Sequence, residues 1–343
     1  MWKELLDESE IMDYYTKNNV RAMIIGFGKM GLLHGSILNL LKPSIVVGVV
    51  DKSKLLTFLL KKVFTNVTVS RSIDELIEEK LVNTVYITTP TSSHYSLTKK
   101  LIELNVSNIF VEKPPTVNSN QLRDLINKKK PGTIVMFGFQ KRFALTFRHA
   151  KQLLSSGALG EIYKVESYIR SGDIVRETTR FKHLGRGVLL DLGVHLINLL
   201  QWIFNPVKIL SANYKSKYTG VDDEFNAELE DKAGFPISFS TSWIDQRFRL
   251  PETMIHVIAE KGELWVTEDH LRINWRNGEK EAYYRPHYYS GYPPVNLADQ
   301  EYTIEDIHFL NSIATRTNPK TSLEDGLKTM MLIDKLYRVA GAG

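Results

Sequence analysis

Three groups of residues have types and spacings that could do chemistry. The first, Gly26-Phe27-Gly28-Lys29-Met30-Gly31, is a G-x-G-x-x-G string that follows a β-branched run and opens a helical pattern. In that setting the first glycine permits a tight turn, the second lets the backbone approach a pyrophosphate, and the third lets the helix lie close on a sheet. Unsatisfied N–H groups at the helix start then face the phosphates. Asp51 ends the next strand-like run, about 20 residues past Gly31, where a carboxylate accepts from both hydroxyls of an adenosine ribose. The loop, Asp51 and the adjoining Lys52 predict a dinucleotide site. NAD is favoured, because a 2′-phosphate would meet the Asp51 charge. Lys52 and Lys54 could offset part of that repulsion, which leaves NADP possible.

The second group lies at two strand ends, Thr88-Thr89-Pro90 with His94, and Glu112-Lys113-Pro114. Ligands bind parallel sheets at the carboxyl ends of their strands. Pro114 cannot continue a ladder, so the chain turns there and delivers Lys113 to that edge. The third group is Asp191 and His195, spaced i, i+4 in a leucine-rich stretch, so on a helix they share one largely buried side. Such a pair has two readings, a structural contact that holds a core together or an acid/base couple.

The elements that would position these groups are legible. Candidate strands at 21–25, 45–50, 67–70, 84–88, 108–111 and 133–137 alternate with helical patterns at 29–41, 53–63, 73–80, 92–105 and 119–129. Six strands and five helices in alternation predict an α/β fold with a doubly wound parallel sheet. Residues 2–17 read as an additional amphipathic helix. After Phe139 the pattern changes to a helix at 145–155, a strand at 162–168 and a helix at 188–204. Strand-like segments with turn signals then run to Tyr284, and helices follow at 299–316 and 322–340. The expected organisation is a dinucleotide-binding domain over 1–140, with a helical extension over 1–18, and an α+β domain over 141–343. The aromatic, proline-containing loop 283–294 could cover a ligand, meet a second subunit or pack on itself.

Composition sets the limits. At 343 residues, with 43% apolar and 24% charged side chains, the chain reads as a folded protein of about two domains. The absence of cysteine excludes thiolate nucleophiles, disulfides and zinc sites with sulfur ligands, and no metal site is expected. The net charge of +5 lies entirely in residues 1–140, which suits a phosphate-bearing ligand. It is too dispersed for a nucleic-acid reader. No export signal or apolar span is evident at the N-terminus, so a cytoplasmic protein without membrane or nucleic-acid partners is expected.

The glycine loop, Thr89-Pro90 with His94, Glu112-Lys113-Pro114, Gly138-Phe139-Gln140-Lys141-Arg142-Phe143, Gly157-Ala158-Leu159-Gly160-Glu161-Ile162, and Asp191 with His195 occur in order over residues 21–204. Together they resemble the glucose-fructose oxidoreductase, inositol dehydrogenase and rhizopine catabolism family of NAD(P)-dependent oxidoreductases. That resemblance implies a Rossmann domain followed by a domain built on an open, mostly antiparallel sheet that mediates homodimers or homotetramers. It implies hydride transfer between nicotinamide and a secondary alcohol or ketone of a sugar, sugar derivative or cyclitol. Lys113 would reach the reacting hydroxyl and the nicotinamide ribose, His195 would be the general acid/base, and Asp191 would orient substrate and imidazole. Thr88, Thr89, Pro90, His94, Glu112, Lys113 and Arg142 would join the glycine loop around the cofactor. Imidazole suits the assigned role, since its ordinary pKa lets it take a proton in oxidation and return it in reduction.

Two departures stand out. Asn198 occupies a position where many members carry an acid, and Arg186 interrupts the glycine-rich start of the Asp191 helix. The stretch from Arg170 to Arg186, which the resemblance brings near substrate, holds Arg170, Arg176, Arg180, Lys182, His183 and Arg186 against Asp173 and Glu177. Arg170 and Arg180 are therefore candidate contacts for an anionic substrate, with a solvated loop as the alternative. Two other functions stay open. One is a glycoside-cleaving enzyme that oxidises its sugar transiently with a retained NAD; the other is a non-catalytic NAD-binding regulator, which the presence of Lys113, Asp191 and His195 disfavours.

Overall fold

The computed structural model describes residues 20–78, 82–172, 185–286 and 300–341. The expected helix over 1–18, Arg176, Arg180, Lys182 and His183, and the aromatic loop beyond residue 286 lie outside the described residues. The chain divides into two compact units.

The first unit, described over 20–78, 82–138 and 300–327, is a Rossmann fold. Its strands are β1 (Ala22–Ile25), β2 (Val46–Val50), β3 (Thr68–Ser70), β4 (Thr84–Ile87), β5 (Asn108–Val111) and β6 (Ile134–Phe137). They pair in parallel in the order β3-β2-β1-β4-β5-β6. The central strands are buried along their whole length, which is why they read as mostly apolar runs rather than alternating ones. Between them run α1 (Lys29–Leu41), α2 (Lys54–Val63), α3 (Ile73–Glu78), α4 (His94–Glu103) and α5 (Ser119–Lys128). Ser53 and Asn118 cap α2 and α5 by accepting N–H bonds from Leu56 and Gln121. The expected helix over 92–105 differs at its start, where Thr91–Ser93 forms a 3₁₀ turn before α4.

After most of the second unit, which opens with α6 (Leu145–Ser155), the chain returns to the first by way of the helix Glu301–Thr315. The expected single cut after residue 140 lacks this return. It follows from burial: Phe309 meets the stacked rings of Tyr86 and Phe110, Tyr302 packs on Leu33 and Ile37 of α1, and the Thr321 hydroxyl donates to the Phe137 carbonyl at 2.7 Å. Without that helix the apolar side of β4 and β5 would face water.

The second unit, described over 139–286 and 328–341, is built on an eight-stranded sheet. Its strands are β7 (Ile162–Arg170), β8 (Pro206–Lys215), β9 (Glu224–Asp231), β10 (Pro236–Ser242), β11 (Glu252–Ala259), β12 (Gly262–Val266), β13 (His270–Trp275) and β14 (Lys280–Tyr284). The order is β14-β13-β12-β11-β7-β10-β9-β8, antiparallel except for the pair β7 and β10. Burial alternates along β11, so one side of the sheet is covered. The cover is α6 over β12 and β13, and the segment around α7 (Val194–Ile203) over β7 and β10. The remaining described helices are α8 (Glu301–Thr315), already placed, and α9 (Leu323–Val339). The regular helix expected over 188–204 is interrupted, because Leu189–Gly193 forms a π turn that leads into α7.

Candidate active site

In the first unit the last aligned row of the sheet is Val50, Ile25, Ile87, Val111 and Phe137. The next residues are Asp51, Gly26, Thr88, Glu112 and Gly138, so motifs far apart in sequence leave the sheet level with one another. Backbone bonds hold the row: the N–H groups of Gly26, Thr88, Glu112 and Gly138 donate to the carbonyls of Val50, Ile25, Ile87 and Val111 at 2.8–2.9 Å. Strand order reverses between β1 and β4, where such sheets bind ligands.

At the glycine loop, Gly26 has φ +89°, and a Cβ on it would stand 2.7 Å from Thr89 Cγ2. A Cβ on Gly31 would stand 2.2 Å from the Gly26 carbonyl oxygen, so α1 could not lie so close on β1. The Thr88 hydroxyl donates to that same carbonyl at 2.6 Å and locks the turn. Gly28 is different: it is exposed, and among the described residues nothing lies within 4 Å of where its Cβ would be. It caps α1, whose first turn carries no acid and whose first N–H groups lack intrahelical acceptors. Asp51 accepts from the Phe27 N–H and the Ser53 N–H, both at 2.8 Å, and each carboxylate oxygen keeps a lone pair for a further donor. Lys29 and Lys52 are exposed, Met30 half-buried. An uncovered, positively polarised helix start beside a held carboxylate fits the pyrophosphate and ribose of NAD.

His94 is placed otherwise than expected. It is buried, with Nδ1 at 2.8 Å from the Pro114 carbonyl and Nε2 at 2.7 Å from the Thr89 carbonyl. Burial lowers its pKa against those two acceptors. Both ring nitrogens are engaged by backbone, so His94 staples the Thr89-Pro90 turn to the Lys113-Pro114 turn rather than reaching for a ligand. Lys113 is half-buried, and its N–H donates to Glu112 Oε2 at 2.9 Å. The other Glu112 oxygen meets His34 Nε2 at 3.0 Å, and His34 Nδ1 lies 2.9 Å from Asp306.

In the second unit, Asp191 sits within the π turn and His195 in the first turn of α7, with 7% and 4% of their surfaces exposed. The wider turn departs from the plain i, i+4 relation, and single π turns recur at functional sites. Asp222 anchors its start by accepting from the N–H groups of Gly187 and Leu189, both at 2.8 Å, and from the Tyr337 hydroxyl at 3.1 Å. Burial pushes the Asp222 carboxyl up, opposed by these donors. A Cβ on Gly187 would stand 2.2 Å from the Asp222 carbonyl oxygen, so the chain can pass there with glycine.

Among the described residues, three of the cations singled out from sequence, Arg142, Arg170 and Arg186, have partners. Arg142 is buried and donates to Asn198 Oδ1 at 2.6 Å, and the Asn198 amide donates on to Thr329 at 2.9 Å. Arg170 pairs with Asp245 at 3.3 Å and lies over the Tyr168 ring. Arg186, the interruption in the glycine-rich run, pairs with Asp334 at 2.6 Å and stacks on Tyr337. Sequence reasoning passed over His34, Asp306, Glu305 and Asp222. Their signal was present as polar residues at apolar positions, for example His34 beside Leu33, Ile37 and Leu38 on α1.

Residues 20–139 match the model of an oxidoreductase family with an NAD-binding Rossmann fold, and residues 147–265 match the GFO/IDH/MocA C-terminal domain. The chain belongs to the GFO/IDH/MocA family. It is, accordingly, an oxidoreductase with an NAD-binding Rossmann domain. Among relatives in this family, it is 22% identical over 324 residues to a myo-inositol 2-dehydrogenase of Thermotoga maritima, covering 91% of this chain and 94% of that one. Two solved structures share the GFO/IDH/MocA fold. An oxidoreductase from Agrobacterium radiobacter in complex with NAD+, L-tartaric acid and magnesium has TM-score 0.81 and 20% identity, over 94% of this chain and 97% of that one. A levoglucosan dehydrogenase in complex with NADH and levoglucosan has TM-score 0.81 and 18% identity, over 94% and 98%.

Proposed function

We propose that this oxidoreductase moves a hydride between NAD and a secondary alcohol or ketone of a neutral sugar or cyclitol. The observation that carries the reading is the level row at the carboxyl edge of the first sheet, which brings the glycine loop, Asp51 and the Glu112-Lys113 turn out side by side. When bound, NAD supplies the hydride acceptor for oxidation of the alcohol carbon. His195 takes the hydroxyl proton and returns it in the reverse direction, Asp191 orients the imidazole and the substrate, and Lys113 holds the hydroxyl. The Asp51 carboxylate favours NAD over NADP, whose 2′-phosphate it would repel.

Similarity to an inositol dehydrogenase and a levoglucosan dehydrogenase supports a polyol substrate. A neutral one is favoured because Arg170 and Arg186, two of the cations that suggested an anion, are matched by Asp245 and Asp334. The protein is read as a cytoplasmic homodimer or homotetramer; no helix among the described residues is long and apolar enough to cross a membrane. The test is NADH absorbance over a panel of inositols, sugars and sugar acids with NAD and NADP, for the wild type and Asp51→Ala. Turnover of neutral polyols with NAD, and a narrowed NAD preference in Asp51→Ala, is expected. A preference for sugar acids would remove the neutral class, and no turnover of any alcohol by a protein that binds NAD would overturn the reading.

A further inference from the structure

Behind the Lys113 turn lies a buried group of side chains to which no part of the mechanism above gives work. His34 on α1 is fully buried, with Nδ1 at 2.9 and 3.0 Å from the two oxygens of Asp306 on α8, and Nε2 at 3.0 Å from Glu112 Oε1. Glu112 in turn accepts the Lys113 N–H through Oε2 at 2.9 Å. The chain of contacts therefore runs Asp306, His34, Glu112, Lys113 without a break. It is insulated by the rings of Tyr86, Phe110 and Tyr302, and Gly138 leaves room beside the Glu112 carboxyl, 3.3 Å from where its Cβ would be.

We propose that His34, clamped between Asp306 and Glu112, is a positioning residue for Lys113: it fixes the Glu112 carboxylate that holds the Lys113 backbone, and so sets how the Lys113 amine is presented. The inference rests on the catalytic role proposed above for Lys113. The groups around the clamp are Asp306, Glu305 and Glu301 of α8, Tyr86 of β4, Tyr302, and Glu112 with Lys113 at the end of β5. Burial works against a charged His34, yet the two carboxylates outweigh it and hold the ring's pKa well above the ordinary value. A ring held as the cation donates from both nitrogens at once, which is what a clamp between two acceptors requires. Glu305 is also fully buried, and burial, reinforced by Glu112, pushes its carboxyl up.

The test uses the geometry of amide side chains. In His34→Gln the amide nitrogen replaces Nε2 and keeps the donor to Glu112, whereas in His34→Asn it replaces Nδ1 and keeps the donor to Asp306. Presentation of Lys113 is read by competitive labelling of the intact protein with acetic anhydride, with peptide mass spectrometry comparing Lys113 with the exposed Lys208 and Lys215. His34→Asn should change the relative labelling of Lys113 by about threefold or more, and His34→Gln should restore most of it, as expected for one lost charge-assisted hydrogen bond. Glu305→Gln, a near-isosteric change in the same core that leaves the His34 contacts in place, should leave it near the wild-type value. Equal labelling in the Asn and Gln variants, or an equal change in Glu305→Gln, would overturn the proposal.

If the His34 variants do not fold, Glu112→Gln and Glu112→Leu pose the same question one bond nearer, since Gln keeps one acceptor oxygen for the two donors, His34 and the Lys113 N–H, and Leu keeps none. Equal labelling in those two would overturn it as well. Turnover of Lys113→Ala with the best substrate of the polyol panel separates the two readings. An active Lys113→Ala removes the catalytic role of Lys113, whereas an inactive one with a flat His34 series removes the clamp alone.

Discussion

Two buried groups of acid and imidazole stand among the described residues, and they are built in opposite ways. Around His34 the imidazole is enclosed completely, with carboxylates on both ring nitrogens drawn from residues 78 and 272 positions away. Asp191 and His195 are neighbours in one stretch of chain, joined by a π turn, with their surroundings set by Asp222 at the start and Arg142 with Asn198 further along. The first arrangement fixes a charge where no solvent reaches it and belongs to structure. A group meant to gain and lose a proton in each turnover is better placed as in the second, on a short segment whose local geometry departs from the regular helix.

The largest effect that could break this contrast is catalytic. His195→Gln should lower kcat by about 10²–10⁴-fold, the usual share of a general acid/base, while NAD affinity measured by titration stays within about threefold. Its denaturation midpoint should stay near that of the wild type. His34→Leu should do the reverse to stability. It leaves Asp306 and Glu112 buried without their cation, a loss of about 3–5 kcal/mol by chemical denaturation. If His195→Gln proved as destabilising as His34→Leu, both groups would be structural and the distinction would be lost.

A smaller effect sharpens the first group through pH. The pKa values of His34, Glu305 and Asp306 are all raised, the carboxyls chiefly by burial and His34 by its carboxylates against burial. The native state therefore holds more protons than the unfolded chain, and these groups make stability fall as pH rises. The His34 contribution is complete below its unfolded pKa of about 6.5 and is lost as pH climbs through the higher native value. For Glu305 the loss begins near the unfolded carboxyl value of about 4.3. Glu305→Gln has no proton to give up, so it should melt above the wild type by about 2 °C or more at pH 8 and lose that advantage at pH 4. A difference that is the same at both pH values would show that Glu305 is ionised in the native state.

What could be read in advance divides along the same line. The turn of the glycine loop and the six parallel strands were legible because each depends on residues close in sequence: a turn and a strand period. The His34–Asp306 contact was not, since it joins α1 to a helix that returns to the first unit after the whole second sheet, and nothing local announces that return. The partners of Arg170 and Arg186 were hidden for the same reason. Their charges suggested a ligand, but Asp245 and Asp334 come from distant segments and take up those charges within the protein. The π turn escaped because one additional residue in a helical turn leaves the apolar pattern of 188–204 almost unchanged.

The smallest effect concerns Asn198, whose amide replaces the acid common at that position. From sequence it left the His195 charge less supported. In the structure both ends of the Asn198 amide are engaged elsewhere, the oxygen accepting from Arg142 Nε at 2.6 Å and the nitrogen donating to Thr329. An aspartate there would keep the first bond, strengthen it with charge and leave the second to be made only with the Thr329 hydroxyl as donor. Its negative charge would be neutralised by Arg142 before it reached the imidazole, so Asn198→Asp should move the midpoint of the kcat pH profile by no more than about 0.3 units, worth about 0.4 kcal/mol. A shift of a full unit would mean that Asn198 belongs to the His195 group electrostatically, within the same short segment of α7.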